Sequence, residues 1–200
     1  MKKRDEIIGQ SLDLFFKFGI QCITMDDIAN KCSVSKKTIY KYFQNKDDLL
    51  MHTIKSQVEE LKGFLKIISD NSLNSLEELF RLFEYINGVT HVVSPVFIKD
   101  LKKYHSNNYI EVFRYKTEIM VPFVINNIRK GKDEELYKSD LDAKEICESF
   151  DSITEIIFNY DYSFNSNVNK KALVFLHSLL LYRLVSIKGL KLLNSYYKVN

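Results

Sequence analysis

Turn-forming residues are scarce: the 200-residue chain holds two prolines and six glycines. No Asn-Gly or Asp-Gly hairpin signal occurs, and no sustained alternation of β-branched residues, so the strand patterns of a β-rich fold are missing. No apolar run approaches the length of a membrane-spanning helix. The N-terminus is charged and amphipathic, with no apolar stretch behind it, which is not the pattern of a secretory signal. The three cysteines, Cys22, Cys32 and Cys147, show no CxxC spacing; they argue for a reducing, cytoplasmic setting and against a disulfide frame or a zinc site. His52, His91, His105 and His177 are widely separated, and no HExxH, GxSxG or phosphate-binding loop is present. An enzyme, a metal site and a cofactor are therefore not expected.

What is present is an apolar fraction of 46%, enough for a real core, in a chain whose length suits a small domain joined to a larger one. Net charge is only +3, but its placement is uneven. Residues 1–46 hold nine Lys/Arg against five Asp/Glu, a balance of +4, and residues 47–200 hold twenty against twenty-one, a balance of −1. Positive charge gathered in one small module is the footprint of phosphate binding, although a margin this small also arises by chance.

Residues 24–49 hold two short helical segments around a tight break. Thr24 caps the first, answered by Asp27 in a short-armed capping box, and Ile28 and Ala29 form its buried face. Cys32-Ser33-Val34 makes the turn. Ser35 caps a second helix over Lys36 to Phe43, with Lys36, Lys37, Thr38, Tyr40, Lys41 and Tyr42 around a thin apolar seam of Ile39 and Phe43. So short a helix cannot persist in water alone and must be pinned by neighbours, leaving its polar and aromatic face free. That is the anatomy of a helix-turn-helix.

In order, the spacing predicts a first helix from about Lys3 to Phe18, with a core stripe of Ile8, Leu12, Phe15 and Phe16, a loose basic arm of Lys2, Lys3 and Arg4 before it, and Gly19 as its stop. Asn45 caps a long fourth helix to about Ile68, roughly 30 Å at the standard rise, which leaves the DNA module and enters the remainder. Ser75 with Glu78 forms a capping box for a fifth helix. Ser94-Pro95 starts a sixth. A seventh runs from Tyr109 to about Lys130, with Pro122 expected to kink or split it. Asp142 with Glu145 opens an eighth to about Tyr160. A ninth spans about Asn169 to Ser186, and a short one follows Gly189. The expected fold class is all-α, with a helix-turn-helix DNA-binding domain over residues 1–47 and a larger helical domain over 48–200.

Leu14-Phe15, Gly19, Ile23-Thr24, Ile28-Ala29, Val34-Ser35, Thr38-Ile39-Tyr40, Tyr42-Phe43, Lys46 and Leu49 together resemble the N-terminal signature of the TetR family of transcriptional regulators. The resemblance covers about residues 4–50. Members often carry Ala-Gly where this chain has Cys32-Ser33, and Gly at Lys37. Glycine would accept the positive φ of the turn more easily than Ser33 does.

The resemblance implies that the second helix of the motif enters the major groove of double-stranded operator DNA. Lys36 and Lys37 are then candidates for guanine edges or for phosphates, and Tyr40 for a thymine methyl, a phosphate, or packing on the first helix. Thr24, Thr38, Tyr42 and Lys46 are phosphate candidates, with Ser35 capping beside them. It further implies a homodimer formed by the last two long helices. Ile146, Phe150, Ile153 and Ile157 would supply one stripe, and Leu173, Leu176, Leu180, Leu184 and Ile187 the other, unless these are buried within one subunit. A small-molecule effector would be taken up among the middle helices. Phe97, Tyr104, Tyr109, Phe113, Tyr115, Phe123 and Phe158 are the aromatic candidates there, with Glu84, His91, His105 and Arg114 as polar points, although aromatics at helical spacing also serve as core. Ligand would select a form with wrongly spaced recognition helices, so DNA and ligand would weaken each other equally. The function expected is a ligand-responsive homodimeric repressor on a palindromic operator; the alternative is a dimeric DNA-binding regulator with no small-molecule effector.

Overall fold

Eleven helices make up the described residues of the computed structural model: α1 Lys2–Phe18, α2 Met25–Lys31, α3 Lys36–Tyr40, α4 Lys46–Asn71, α5 Ser75–Val92, α6 Pro95–Tyr104, α7 Ser106–Tyr115, α8 Val121–Asp133, α9 Ala143–Asn159, α10 Ser166–Leu184 and α11 Ile187–Lys198. The structure describes the backbone of residues 2–159 and 166–198, and the side chains of residues 3–149, 151–152 and 171–196. Among them no helix is long and apolar enough to cross a membrane. The all-α class holds, and the helix starts fall where the capping residues put them. Ser94 accepts from Phe97 N–H ahead of Pro95 (3.3 Å), and Asn45 Oδ1 accepts from Asp48 N–H (2.8 Å).

One start differs. Helix α5 is capped by Asn74, which accepts from Glu77 N–H at 2.9 Å, while Glu77 in turn accepts from Leu73 N–H at 2.8 Å. Glu78, expected to complete a box with Ser75, is instead buried. Its Oε1 accepts from Ser69 Oγ (2.6 Å) and its Oε2 from Asn127 Nδ2 (2.7 Å). A buried carboxylate needs such partners, and the interior supplies them where a solvent-facing cap would not.

The seventh predicted helix is split as Pro122 required. Helices α7 and α8 are joined by a π-helical stretch, Lys116–Met120. Proline has no N–H to give the carbonyl one turn back and its ring crowds that carbonyl, so the wider turn just before it relieves both.

The chain forms two compact units. The first comprises residues 1–63 and 90–116. Its core gathers Ile7, Phe15, Ile28, Ile39, Phe43, Leu49 and Leu50 with Phe97 and Leu101 of α6. The unit therefore reaches beyond residues 1–47, because three short helices cannot close a core alone and α6 supplies the missing wall. Several contacts hold α6 to the end of α1. Phe16 meets Phe97 edge to face at 4.9 Å, Ser94 N–H donates to the Phe16 carbonyl (2.8 Å), and Gln21 N–H donates to Asp100 Oδ2 (2.8 Å). Gly19 sits at φ +84°, and a Cβ there would lie 2.6 Å from Val96 Cγ1, so both backbone and packing require glycine.

The second unit comprises residues 64–89 and 117–200. Leu76, Leu79, Leu82, Ile128, Leu181, Leu184 and Leu193 are buried in it. Tyr137 is enclosed over Gly131, and its hydroxyl lies 3.1 Å from both the Ser75 carbonyl and Asn127 Oδ1. His177 stacks on Phe83 with ring centroids 4.2 Å apart. Burial pulls its pKa down to about 4, so it is neutral near pH 7.

Candidate nucleic-acid interface

The helix-turn-helix is built as its caps dictate. Asp27 N–H donates to Thr24 Oγ1 (3.1 Å) and Thr24 N–H donates to Asp27 Oδ2 (2.8 Å), closing the capping box of α2. The hydrogen bonds from Thr24 hold the Asp27 carboxyl below its usual pKa. Ser35 Oγ accepts from Thr38 N–H at 3.2 Å and lies 2.9 Å from Thr38 Oγ1. Between them Ser33 takes φ +52°, the left-handed conformation the turn demands and glycine would adopt more readily. Cys32 is buried as a small apolar plug, where burial raises its thiol pKa.

Helix α3 is shorter than the spacing suggested, five residues from Lys36 to Tyr40, with Lys41 and Tyr42 in the turn after it. Ile39 and Phe43 are fully enclosed in the core of the first unit. They fix the opposite face outward: Lys36, Lys37, Lys41, Tyr40 and Tyr42 are all exposed. Tyr40 is 47% exposed. Thr24 and Ser35 are exposed and Thr38 is half-buried. Lys46 opens α4 and is half-buried. Burial pulls its pKa down, and the carboxylates of Asp100, Asp47 and Asp27 oppose that.

The basic N-terminal residues do not form a loose arm. They lie within α1, where Lys3 Nζ reaches the Cys32 carbonyl (3.2 Å) and closes the end of α2. The Arg4 guanidinium lies 2.9 Å from His52 Nδ1 and 5.5 Å from the Phe43 ring centre. His105, at the corner between α6 and α7, meets Asp47 Oδ1 at 2.5 Å and Gln21 Nε2 at 3.0 Å. It ties that corner to both ends of the motif. Sequence spacing could not reveal this, because the partners lie 58 and 84 residues away.

The effector candidates differ in burial and are divided between the two units. Phe97 belongs to the core of the first unit, because α6 closes that core with it. Tyr104 and Phe113 of the same unit face solvent, at 53% and 51% exposed, and Tyr109 is half-buried beneath Lys102. Phe123, in the second unit, is half-buried, and the side chain of Phe158 lies outside the described residues. An open groove of about 510 Å³ in the first unit is lined instead by Met51 and Lys55 of α4 with Asn107, Ile110 and Glu111 of α7.

The dimer candidates on α10 are corrected by burial. Leu173, Leu176 and Leu184 are 2%, 8% and 0% exposed within the single chain, and Leu180 is half-buried. Leu173, Leu176 and Leu184 have almost no area left to give a partner, while Leu180 keeps some. Among the described residues, the exposed apolar side chains of α10 are Val174, Phe175, Leu179 and Tyr182, at 44%, 63%, 49% and 45%. Ile187, at 80% exposed, begins α11. On α9, Ile146 is half-buried, and the side chains of Phe150, Ile153 and Ile157 lie outside the described residues.

Residues 7–52 match the model for bacterial regulatory proteins of the tetR family. The HTH-type transcriptional regulator YvaF of Bacillus subtilis is 27% identical over 135 residues, 66% of this chain and 70% of that protein. IcaR of Staphylococcus aureus, the HTH-type negative transcriptional regulator of the biofilm operon icaADBC, is 29% identical over 84 residues, 42% of this chain and 45% of that protein, so the match spans under half of IcaR. The crystal structure of the regulatory protein TetR from Rhodobacter sphaeroides shares the fold, with a TM-score of 0.74 at 15% identity over 92% of this chain and all of that one. An exposed, cation-bearing recognition helix on this fold, with the tetR-family motif over residues 7–52, is the DNA-binding module of a transcriptional regulator and not the site of an enzyme.

Proposed function

We propose that the protein is a homodimeric repressor that binds a palindromic operator and is released by a small-molecule effector. The observation that carries the DNA-binding part is the α3 face: Ile39 and Phe43 anchor it from behind while Lys37, Tyr40, Lys41 and Tyr42 stand in solvent. Residues 1–47 act as the DNA-binding domain. Lys36, Lys37 and Tyr40 read base edges, while Thr24, Thr38, Tyr42 and Lys46, with Ser35 beside them, hold the phosphates. One such module makes few contacts; two on a two-fold axis double them and span half-sites one helical turn or more apart. The exposed Val174, Phe175 and Leu179 of α10 supply an apolar face for that pairing, within a domain of residues 48–200. Repression, as opposed to activation, follows the negative regulator IcaR.

The effector reading rests on the family resemblance and on the α4–α7 groove, whose Met51 and Ile110 beside Lys55 and Glu111 suit a small amphipathic molecule. A second reading, a dimeric regulator without an effector, is favoured by Phe97 being spent on the core. Operator affinity measured with and without a molecule found to occupy the groove separates the two: a fall supports the effector, and equality removes it.

The role of Lys46 is tested by Lys46→Ala. Binding to all duplexes should weaken about equally, and the slope of log affinity against log salt should drop by about one per module. A changed preference among duplexes at an unchanged slope would contradict a phosphate contact.

A further inference from the structure

The two lysines that open α3 are not equivalent. Lys36 Nζ lies 2.7 Å from Asp26 Oδ2 of α2, across the turn of the motif, with side chains 47% and 62% exposed. The hydrogen bond to that carboxylate raises the Lys36 pKa. Among the described residues Lys37 has no ion pair or hydrogen bond, and it is exposed.

Folding gives no strong reason for the pair. An exposed ion pair adds little to stability, and α2 is already capped by Thr24 and Asp27. On a surface that faces phosphates, a carboxylate lowers affinity for DNA of any sequence. What it supplies is geometry. A free lysine is a point charge on four rotatable carbons, and next to a duplex it settles on whichever phosphate is nearest. A lysine tethered by one ammonium hydrogen keeps two others for a fixed direction, and its ordering cost is met before DNA arrives.

Resting on the DNA-binding reading above, we propose that Asp26 is a specificity-determining positioning residue. It holds Lys36 so that the ammonium donates to a base edge and not to the backbone. The edge it fits is one with acceptors only, guanine O6 and N7, at one base pair in each half-site. Asp26 itself touches no base. The untethered Lys37 is left to adapt to the backbone or to a neighbouring base.

The test uses duplexes selected by the wild-type dimer from a random-sequence library, with each G·C pair of the selected half-site then replaced in turn. Lys36→Ala should lose discrimination at one G·C pair. Asp26→Asn should lose about 5- to 10-fold of discrimination at that same pair, bind unrelated duplex more tightly, and steepen the salt slope by about one per module as the freed lysine takes a phosphate. Asp26→Glu, which keeps the tether, should retain most of the discrimination. The Asp26→Asn/Lys36→Ala pair should lose no more than Lys36→Ala alone. The proposal is overturned if Asp26→Asn raises affinity uniformly with discrimination intact, or if its effect persists undiminished without Lys36. Wild-type protein that selects no duplex would bring down the DNA-binding reading as well, which separates that failure from these two.

Discussion

Phe175→Glu combined with Leu179→Glu will give a folded monomer that binds the selected operator about 100-fold or more weakly than the parent. Both side chains are largely exposed within the subunit, at 63% and 49%, so a charge there leaves the second unit's core untouched. In a two-fold pair the same carboxylates would be brought together without water and would repel. Linking two modules makes the second docking event effectively intramolecular, and that gain of two to four powers of ten disappears with the pairing. The salt slope should fall to about half, because half the phosphates are contacted at once. Sedimentation gives the state of assembly, and fluorescence anisotropy on a labelled duplex gives the affinity. A double variant that stays dimeric with parental affinity would show that the pairing face lies elsewhere. Leu173→Glu is the instructive contrast: Leu173 is 2% exposed, so the charge would unfold the subunit instead of separating a pair.

Gly131→Ala is a strongly damaging single-methyl change in the second unit. A Cβ at Gly131 would stand 2.1 Å from Tyr137 Cδ2 and 2.4 Å from Cε2. The ring cannot step aside cheaply, because its buried hydroxyl is committed to the Ser75 carbonyl and Asn127 Oδ1. Relief means moving the ring, breaking those bonds, or bending α8. Overpacking of this kind costs about 1–3 kcal/mol, and the tethered hydroxyl puts the expectation at the upper end. For a chain of this size that lowers the melting temperature by roughly 10 °C. Gly88→Ala in α5 is the control: no atom outside its own helix lies within 4 Å of the added methyl. Replacing an unneeded helix glycine should raise stability by about 0.5–1 kcal/mol. Thermal unfolding followed by circular dichroism compares the two; equal melting temperatures would mean that Tyr137 does not press on Gly131.

The contrast between these positions shows how far spacing and residue type carry an account of this chain. Signals that act within one turn were legible. Thr24 with Asp27, Ser35, Asn45 and Ser94-Pro95 mark helix starts, because a cap is a local hydrogen bond. Gly19 was legible as a stop and Pro122 as a break for the same reason. The outward face of α3 followed from Ile39 and Phe43, because so short a helix has one anchored side. Signals that depend on partners far along the chain were not legible. Glu78 has the spacing of a capping residue, yet it serves a buried network with Ser69 and Asn127. Helix α10 is apolar around most of its circumference, so periodicity gave no preference between the Leu173 face and the Phe175 face; only packing distinguishes them. Lys36 and Lys37 are adjacent and chemically alike, and Asp26, ten residues back across a turn, separates their roles. The α4–α7 groove, from Met51 to Glu111, draws its lining from segments some 50 residues apart and left no pattern in the sequence.

The central claim is that the first unit reads a specific two-fold DNA sequence, and selection from a random duplex library tests it most directly. Purified full-length protein should enrich a palindrome whose half-sites lie one or more helical turns apart, bound at least 10³-fold more tightly than unrelated duplex at the same salt. A pool that stays random, or an enriched duplex bound no better than unrelated DNA, would contradict the account.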